Sequence, residues 1–421
     1  MDGWTAPNQE YPPPKSGEPA LHRAARIGDE PSIRRLIAAG EPIDAPFDLQ
    51  LDPGACPACG TPLMVAAGSG DGASFATVKL LVELGANPRL EVDGRSAAAW
   101  ACSGLGWNYR PGGDAARLRY LLDVGAPLPR HGETANRLLC SVAGAGDSER
   151  LEVLLREGLA AGGCWDPEAA RRRASASRSC RDEAPAPFSD LPEKVRAELA
   201  ASMRALEEEM FQKQCSAPSF YEIPLFQAAA SGSVECVQLL LSYGADSGQR
   251  DASNTTAMYH ATTLEVVRRL MSAGLPLEDA DDFGWSPLSA AVCDGRYGLS
   301  RIRALIEAGA DVNATHDRGY SVFMSAASAS ERDVEVLRLL VAAGADPHAV
   351  TELGYNAFHA AIDVNGVANE ESSVRSILGY LKQLGVDLHH RNRAGFTPLG
   401  RALAEGTEIE VRVLRELGAA E

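Results

Sequence analysis

A glycine that recurs behind one apolar pattern constrains this chain more than any other feature. Gly40, Gly85, Gly125, Gly158, Gly244, Gly274, Gly309, Gly344, Gly385 and Gly418 mark it. Seven, four and three residues before the first stand Ile33, Leu36 and Ile37. The next copies read Val78/Leu81/Val82, Leu118/Leu121/Leu122, Leu151/Leu154/Leu155 and Val237/Leu240/Leu241, then Val267/Leu270/Met271, Ile302/Leu305/Ile306 and Leu337/Leu340/Val341. Positions i, i+3 and i+4 share one helical face, so each segment predicts a short amphipathic helix with one buried stripe. The glycine behind it is the left-handed terminator that Gly adopts without strain. Four copies continue with Ala-Asn or Ala-Asp, from Ala86, Ala245, Ala310 and Ala345. A turn-rich link follows, then a second helix start, clearest in Thr61-Pro62-Leu63, Ser286-Pro287-Leu288 and Thr397-Pro398-Leu399. There Thr or Ser caps the orphan amides, Pro sits where its missing N–H costs nothing, and Leu turns inward. Pairs such as Ala66-Ala67 and Ala326-Ala327 let two helices approach closely.

Two short antiparallel helices and a turn-rich finger, with a period near ~33 residues, resemble the ankyrin repeat, whose signature is T-P-L-H-x-A-A. Ten degenerate copies cover residues 17–160 and 222–421. The resemblance implies an all-α solenoid of stacked helix–turn–helix units. It also implies a non-enzymatic role, with a protein partner held by finger tips and the concave face of the first helices. His22 and His359 follow the anchors Leu21 and Phe358. The resemblance implies that these two histidines bond backbone and serve structure.

Departures from the period locate the insertions. Residues 43–59 lengthen the first finger, 105–114 the inter-helix loop of the third copy, and 363–373 that of the ninth. The sixth copy is short, with almost no inter-helix turn at His260–Leu264, and Asn254 stands where other copies carry Gly. Asn is the usual second choice for a positive φ. Residues 1–16 read as a flexible Pro-rich extension. Residues 161–221 break the array with a basic, Ser-rich run, Arg171–Arg181, and a Pro-rich stretch. Within the run, Arg172-Arg173-Ala174-Ser175 resembles a basophilic kinase site. From Asp190 a helix is expected to about Gln214, with Val195, Leu199, Met203, Leu206 and Met210 on one face. That face either packs back on the array or recruits a second factor. The last copy carries Glu408, Glu410, Arg412, Arg415 and Glu416, as a capping repeat should.

Composition narrows the function. Lys+Arg is 40 against Asp+Glu 57, a net charge of −17, which argues against nucleic acid or an anionic membrane as partner. No apolar run is long enough to span a bilayer and the start lacks a secretory pattern. Nine scattered cysteines, an odd number, suit a reducing compartment, so a cytoplasmic monomer is expected. No nucleotide, zinc-protease, serine-hydrolase or kinase motif occurs, so no catalytic residue and no cofactor is assigned. Cys56-Pro57-Ala58-Cys59-Gly60 is one half of a zinc ribbon without the other half. It reads as a turn entering Thr61, with metal only if ligands come from elsewhere. His389-His390 reads as a solvated finger pair.

One position, between the finger glycine and the capping Thr or Ser, packs into no core and varies freely. It reads Glu18, Gly60, Arg95, Glu133, Glu222, Thr255, Trp285, Tyr320, Tyr355 and Phe396. The last four are aromatic, which predicts a row on the order of 30 Å long at the helix spacing of stacked repeats. Such a row anchors a partner, or else each ring closes on the adjacent finger. Acidic residues including Asp281 flank one end, and His390 and Arg391 the other. Trp285, Tyr320, Tyr355, Phe396, Thr255, Asp281, His390 and Arg391 are therefore the candidate partner contacts.

Overall fold

In every copy the second helix stops at its glycine, because the chain there turns to a positive φ. Values run from 75° at Gly385 to 99° at Gly85 and Gly309. The next residue's N–H reaches back to close the last turn, as Ala86 does to the Leu81 carbonyl and Ala345 to Leu340. The computed structural model describes residues 18–49, 58–69, 74–103, 115–163, 217–293, 298–329, 333–362 and 371–420. The described fold is all-α, with three two-stranded hairpins. The expected helix at 190–214, Ser175 and the loop at 105–114 lie outside the described residues.

The chain divides into two compact units, Met1–Ala170 with 221–228 and 242–245, and 171–220 with 229–241 and Asp246–Glu421. In the first, helix α1 (Ala20–Ile27) pairs with α2 (Glu30–Ala38), followed by the hairpin β1 (Phe47–Leu49) and β2 (Ala58–Gly60). Helices α3 (Pro62–Gly68) and α4 (Phe75–Glu83) come next, then the hairpin β3 (Glu91–Val92) and β4 (Arg95–Ser96). Helices α5 (Ala97–Ser103), α6 (Ala115–Asp123), α7 (Gly132–Gly144) and α8 (Ser148–Arg156) complete the run. First helices pack on first helices in chain order, and second on second. The segment expected to be a turn entering Thr61 is strand β2, with Gly60 opposite Phe47. Gly60 allows this because a Cβ there would stand 2.9 Å from the Trp100 ring.

Helices α9 (Pro224–Ser231) and α10 (Val234–Ser242) carry residues of both units. The second unit continues with a 3-10 turn at Ala257–His260, the shortened sixth copy, and α11 (Leu264–Ser272). Asn254 has φ 62°, as its glycine-like place requires. Then come α12 (Pro287–Cys293), α13 (Gly298–Glu307), the hairpin β5 (Thr315–His316) and β6 (Tyr320–Ser321), α14 (Val322–Ser328) and α15 (Val334–Ala342). The run ends with α16 (Ala357–Ala360), α17 (Glu371–Gln383), α18 (Pro398–Glu405) and α19 (Glu408–Glu416). Helix α17 starts inside the expected 363–373 loop. Thr61, Ser286, Ser321 and Thr397 each accept the N–H three residues on, so the capping sites lie where the sequence puts them. At α19, Thr407 and Glu410 cap reciprocally, and Arg415 is exposed.

The buried stripe of the second helices is shifted from the expected one. Residues seven and four before the glycine are buried except Leu36 and Val411, but those three before it are mostly half-exposed, and Met271 is 39% exposed. In most copies the residue eight before it goes inward instead, and three times it is arginine: Arg117, Arg150 and Arg301. Arg117 donates from Nη1 to the carbonyls of Ala66, Ala67 and Ser69, at the C-terminus of α3. Arg150, fully buried, donates to Ala101 O of α5 at 2.9 Å and to Asp147 at 2.8 Å. A guanidinium there serves helix ends whose carbonyls have no partner of their own, and opposes the negative end of the dipole.

Candidate partner-binding ridge

Four fingers of the second unit are each closed by their first residue. Asp281 accepts the N–H groups of Phe283 and Trp285, both at 2.9 Å, while its own N–H donates to the Trp285 carbonyl. Asp251 does the same for Ser253 and Thr255, and Asn392 for Ala394 and Phe396. Thr351 holds Tyr355 through its hydroxyl at 3.0 Å. Adjacent tips are joined main chain to main chain, Glu352 N–H to Arg318 O and Arg393 N–H to Leu353 O, both at 2.9 Å.

At four ridge positions a side chain of the preceding first helix or turn also holds the residue by its carbonyl. His359 Nε2 donates to Phe396 O at 3.0 Å and His22 Nε2 to Gly60 O at 3.1 Å. This is the backbone role expected for both histidines. Asn136 donates to Glu222 O at 2.8 Å, and the Tyr259 hydroxyl lies 2.5 Å from Trp285 O and 2.7 Å from Asp279 O. Tyr259 stands in its copy where His359 stands in its own, so a phenol replaces the imidazole. Its larger reach suits the copy whose helix is reduced to a 3-10 turn. Burial pushes the His359 imidazole down to about 4 and raises the Tyr259 hydroxyl well above its usual range.

Between these anchors runs a row of rings. Trp285 stacks on His316 at 4.2 Å, His316 on Tyr320 at 6.2 Å, and Tyr320 meets Tyr355 edge-on at 6.5 Å. Tyr355 stacks on His359 at 5.5 Å, and His359 meets His390 at 6.0 Å. Arg401 of α18 lies 4.8 Å over the Tyr355 ring and donates to the His359 carbonyl. Trp285, Tyr320 and Tyr355 are half-buried, and Phe396 is 49% exposed. Burial lowers the His316 imidazole, whose Nε2 lies 2.6 Å from the Ser325 hydroxyl, and raises the Tyr320 hydroxyl.

The other candidates fall into place around the row. Asp281 is the clamp of its finger. Thr255, half-buried, is held by Asp251. His390 Nε2 donates to Gly354 O at 3.0 Å, and Arg391 donates to Gly395 O at 2.8 Å. Phe283, 68% exposed, Leu353, 38% exposed, and Val350, 52% exposed, were not among the sequence candidates. The signal for the first two was an apolar residue directly before a tip glycine, where turns are normally polar. Cys56 lies outside the described residues, and among those described no group of three or more His, Cys, Asp or Glu could hold a metal.

Three overlapping stretches, residues 201–278, 225–316 and 262–351, match the family model for ankyrin repeats. Residues 201–351 are ankyrin repeats. The chain is also similar to protein phosphatase 1 regulatory subunit 27 of Mus musculus, 39% identical over 66 residues, 15% of this chain and 43% of that protein. It thus spans less than half the length of that relative. Among solved structures, an ankyrin repeat domain from Acinetobacter baumannii AYE aligns at 28% identity and a TM-score of 0.37, over 47% of this chain and 98% of that one. The ankyrin repeat domain of Bcl-3, of the IkappaB family, aligns at 19% identity and a TM-score of 0.39, over 68% of this chain and 99% of that one. Ankyrin repeats are in general non-enzymatic modules of protein–protein interaction. No helix among the described residues is long and apolar enough to cross a membrane.

Proposed function

We propose that this ankyrin-repeat protein is a non-enzymatic cytoplasmic scaffold whose second unit grips a protein partner through the finger loops and the adjoining first helices. The observation that carries the reading is the ring row whose Trp285, Tyr320 and Tyr355 are half-exposed, with Phe396 beside it. Rings of this size are typical interface anchors, and each costs at least ~2 kcal/mol when truncated at the centre of an interface. Affinity capture from the native cell extract tests it, wild type against Trp285→Ala/Tyr320→Ala. The double variant is expected to lose the captured partner by about a thousandfold in affinity, because two such anchors together cost about 4 kcal/mol. Capture unchanged by the two substitutions sinks the ridge.

A second reading rests on the 66-residue likeness to a phosphatase regulatory subunit: the repeats regulate a phosphatase. Purified phosphatase catalytic subunit, titrated with the full chain, decides it. Absence of saturable binding removes that reading and leaves the ridge untouched.

A further inference from the structure

We infer that the partner element fitting this surface is an extended segment of another protein, read in one direction, with basic residues at one end and acidic residues at the other. The inference rests on the ridge reading above and deepens it. Its starting point is three large apolar side chains exposed on the fingers, Phe283 and Leu353 at the tips and Phe396 at the ridge position. The first two occupy the same tip position in fingers two repeats apart, and Phe396 belongs to the next finger. At roughly 10 Å per repeat, the first gap is about 20 Å and the second about 10 Å. An extended polyproline II segment advances about 3.1 Å per residue with about three residues per turn, so apolar side chains about six and then about three residues apart fall on one side and meet all three.

Charge sets the direction. The residue before the tip position is Asp282, Asp317 and Glu352 in three successive fingers, and Arg393 in the fourth. All four are exposed, and Arg391 lies beside the last. The last three fingers are locked in register by the Glu352–Arg318 and Arg393–Leu353 main-chain bonds, so the change from acid to base between them is a fixed feature of the surface. A segment with Lys or Arg near its first apolar residue and Asp or Glu near its last matches it. The reverse segment meets like charge at both ends, and like-charge juxtaposition at an interface rejects wrong partners. A helix does not suit the spacing, because 20 Å needs about thirteen residues at 1.5 Å each and turns its anchors away between them.

The test selects peptides from a displayed library of random 14-residue sequences on the immobilised full chain. Enriched peptides are then synthesised in native and charge-reversed order. Anisotropy titrations use wild type, Phe283→Ser/Leu353→Ser, Asp282→Arg/Arg393→Glu and Trp285→Ala/Tyr320→Ala, each checked for unchanged helical circular dichroism. The inference expects one charge order among enriched peptides and at least about tenfold tighter binding of that order at low salt. It expects that preference to invert in the charge-swapped variant and affinity to fall in the double-serine variant. Enriched peptides with no charge order, equal affinity for both orders, or apolar residues at helical spacing overturn it. If such peptides still lose affinity on Trp285→Ala/Tyr320→Ala, the ridge reading stands and only this inference falls. No enrichment at all, or enrichment indifferent to every variant, overturns both.

Discussion

Gly60 in the first unit and Trp285 in the second hold the same place in their fingers, and their main chains are secured alike. His22 bonds the carbonyl of one and Tyr259 that of the other. Their side chains share nothing. The first unit puts Glu18, Gly60, Arg95 and Glu133 at this position, and Glu18 is spent on a bidentate pair with Arg26, both contacts 3.0 Å. The second puts Trp285, Tyr320, Tyr355 and Phe396 there. A position whose backbone is held by its neighbour does not need its side chain to fold. The first unit demonstrates this with a residue that has no side chain at all. The aromatic series is therefore surplus to the repeat, even though each ring gains about 0.5–1.5 kcal/mol from the next.

The comparison breaks hardest at the buried arginines. Arg150→Ala in the first unit strands the Ala101 carbonyl, leaves Asp147 without its cation and opens a cavity. The expected cost is about 3 kcal/mol, read as a lower denaturant midpoint. Arg150→Met restores volume but not the carbonyl's partner, so it should recover only part. If both variants match wild type, the arginines are not what holds the ends of the first helices.

A smaller effect separates the two ways of holding a ridge residue. Tyr259→Phe removes one hydroxyl that serves two carbonyls and should cost about 1 kcal/mol. It should also shift the Trp285 fluorescence emission, because the indole's backbone is no longer fixed. Tyr259→His copies the arrangement of His359, and recovery of the emission would show that phenol and imidazole do one job. Emission unchanged in Tyr259→Phe would mean that the finger clamp of Asp281 suffices alone.

Acid offers a third contrast. Burial depresses the His359 imidazole to about 4 against 6.5 in an unfolded chain. The unfolded state therefore takes up its proton first, so this histidine's contribution is whole above 6.5, declines as pH falls towards 4 and is flat below. His22 in the first unit is lowered too, again by burial. Midpoints measured from pH 7.5 to 4.5 should fall more shallowly in His359→Asn than in wild type. Parallel curves would remove His359 from the acid response.

The repeat was legible because its glycines, caps and apolar residues are each imposed by backbone geometry at one position. The ridge residues were legible for the opposite reason, as a place where that pressure is absent. What stayed hidden depends on pairs. The sequence shows Arg117 and Arg150 on a charged-looking face, and only the packed neighbour makes them inward-facing caps. Tyr259 and Asn136 do the work of a histidine with different chemistry, so a motif built on T-P-L-H passes over them. Phe283 and Leu353 were passed over because nothing in the repeat's backbone geometry calls for an apolar tip.

The smallest effect is expected where the second unit looks most heavily bonded. Arg375 reaches Glu371 and Glu416, and Arg412 reaches Glu371 as well, linking α17 to α19. Every one of these side chains is about half exposed, so water and salt screen the pairs and the attraction competes with lost side-chain freedom. The first unit's Arg26–Glu18 pair differs, because the Glu18 side chain is 1% exposed. Arg375→Ala should leave the thermal midpoint within error at 150 mM salt, whereas Arg26→Ala should lower it and strand the Glu18 carboxylate. If Arg375→Ala proves the more damaging, the last repeat is closed by its ion pairs and not by the buried Val413 and Leu414 beneath them.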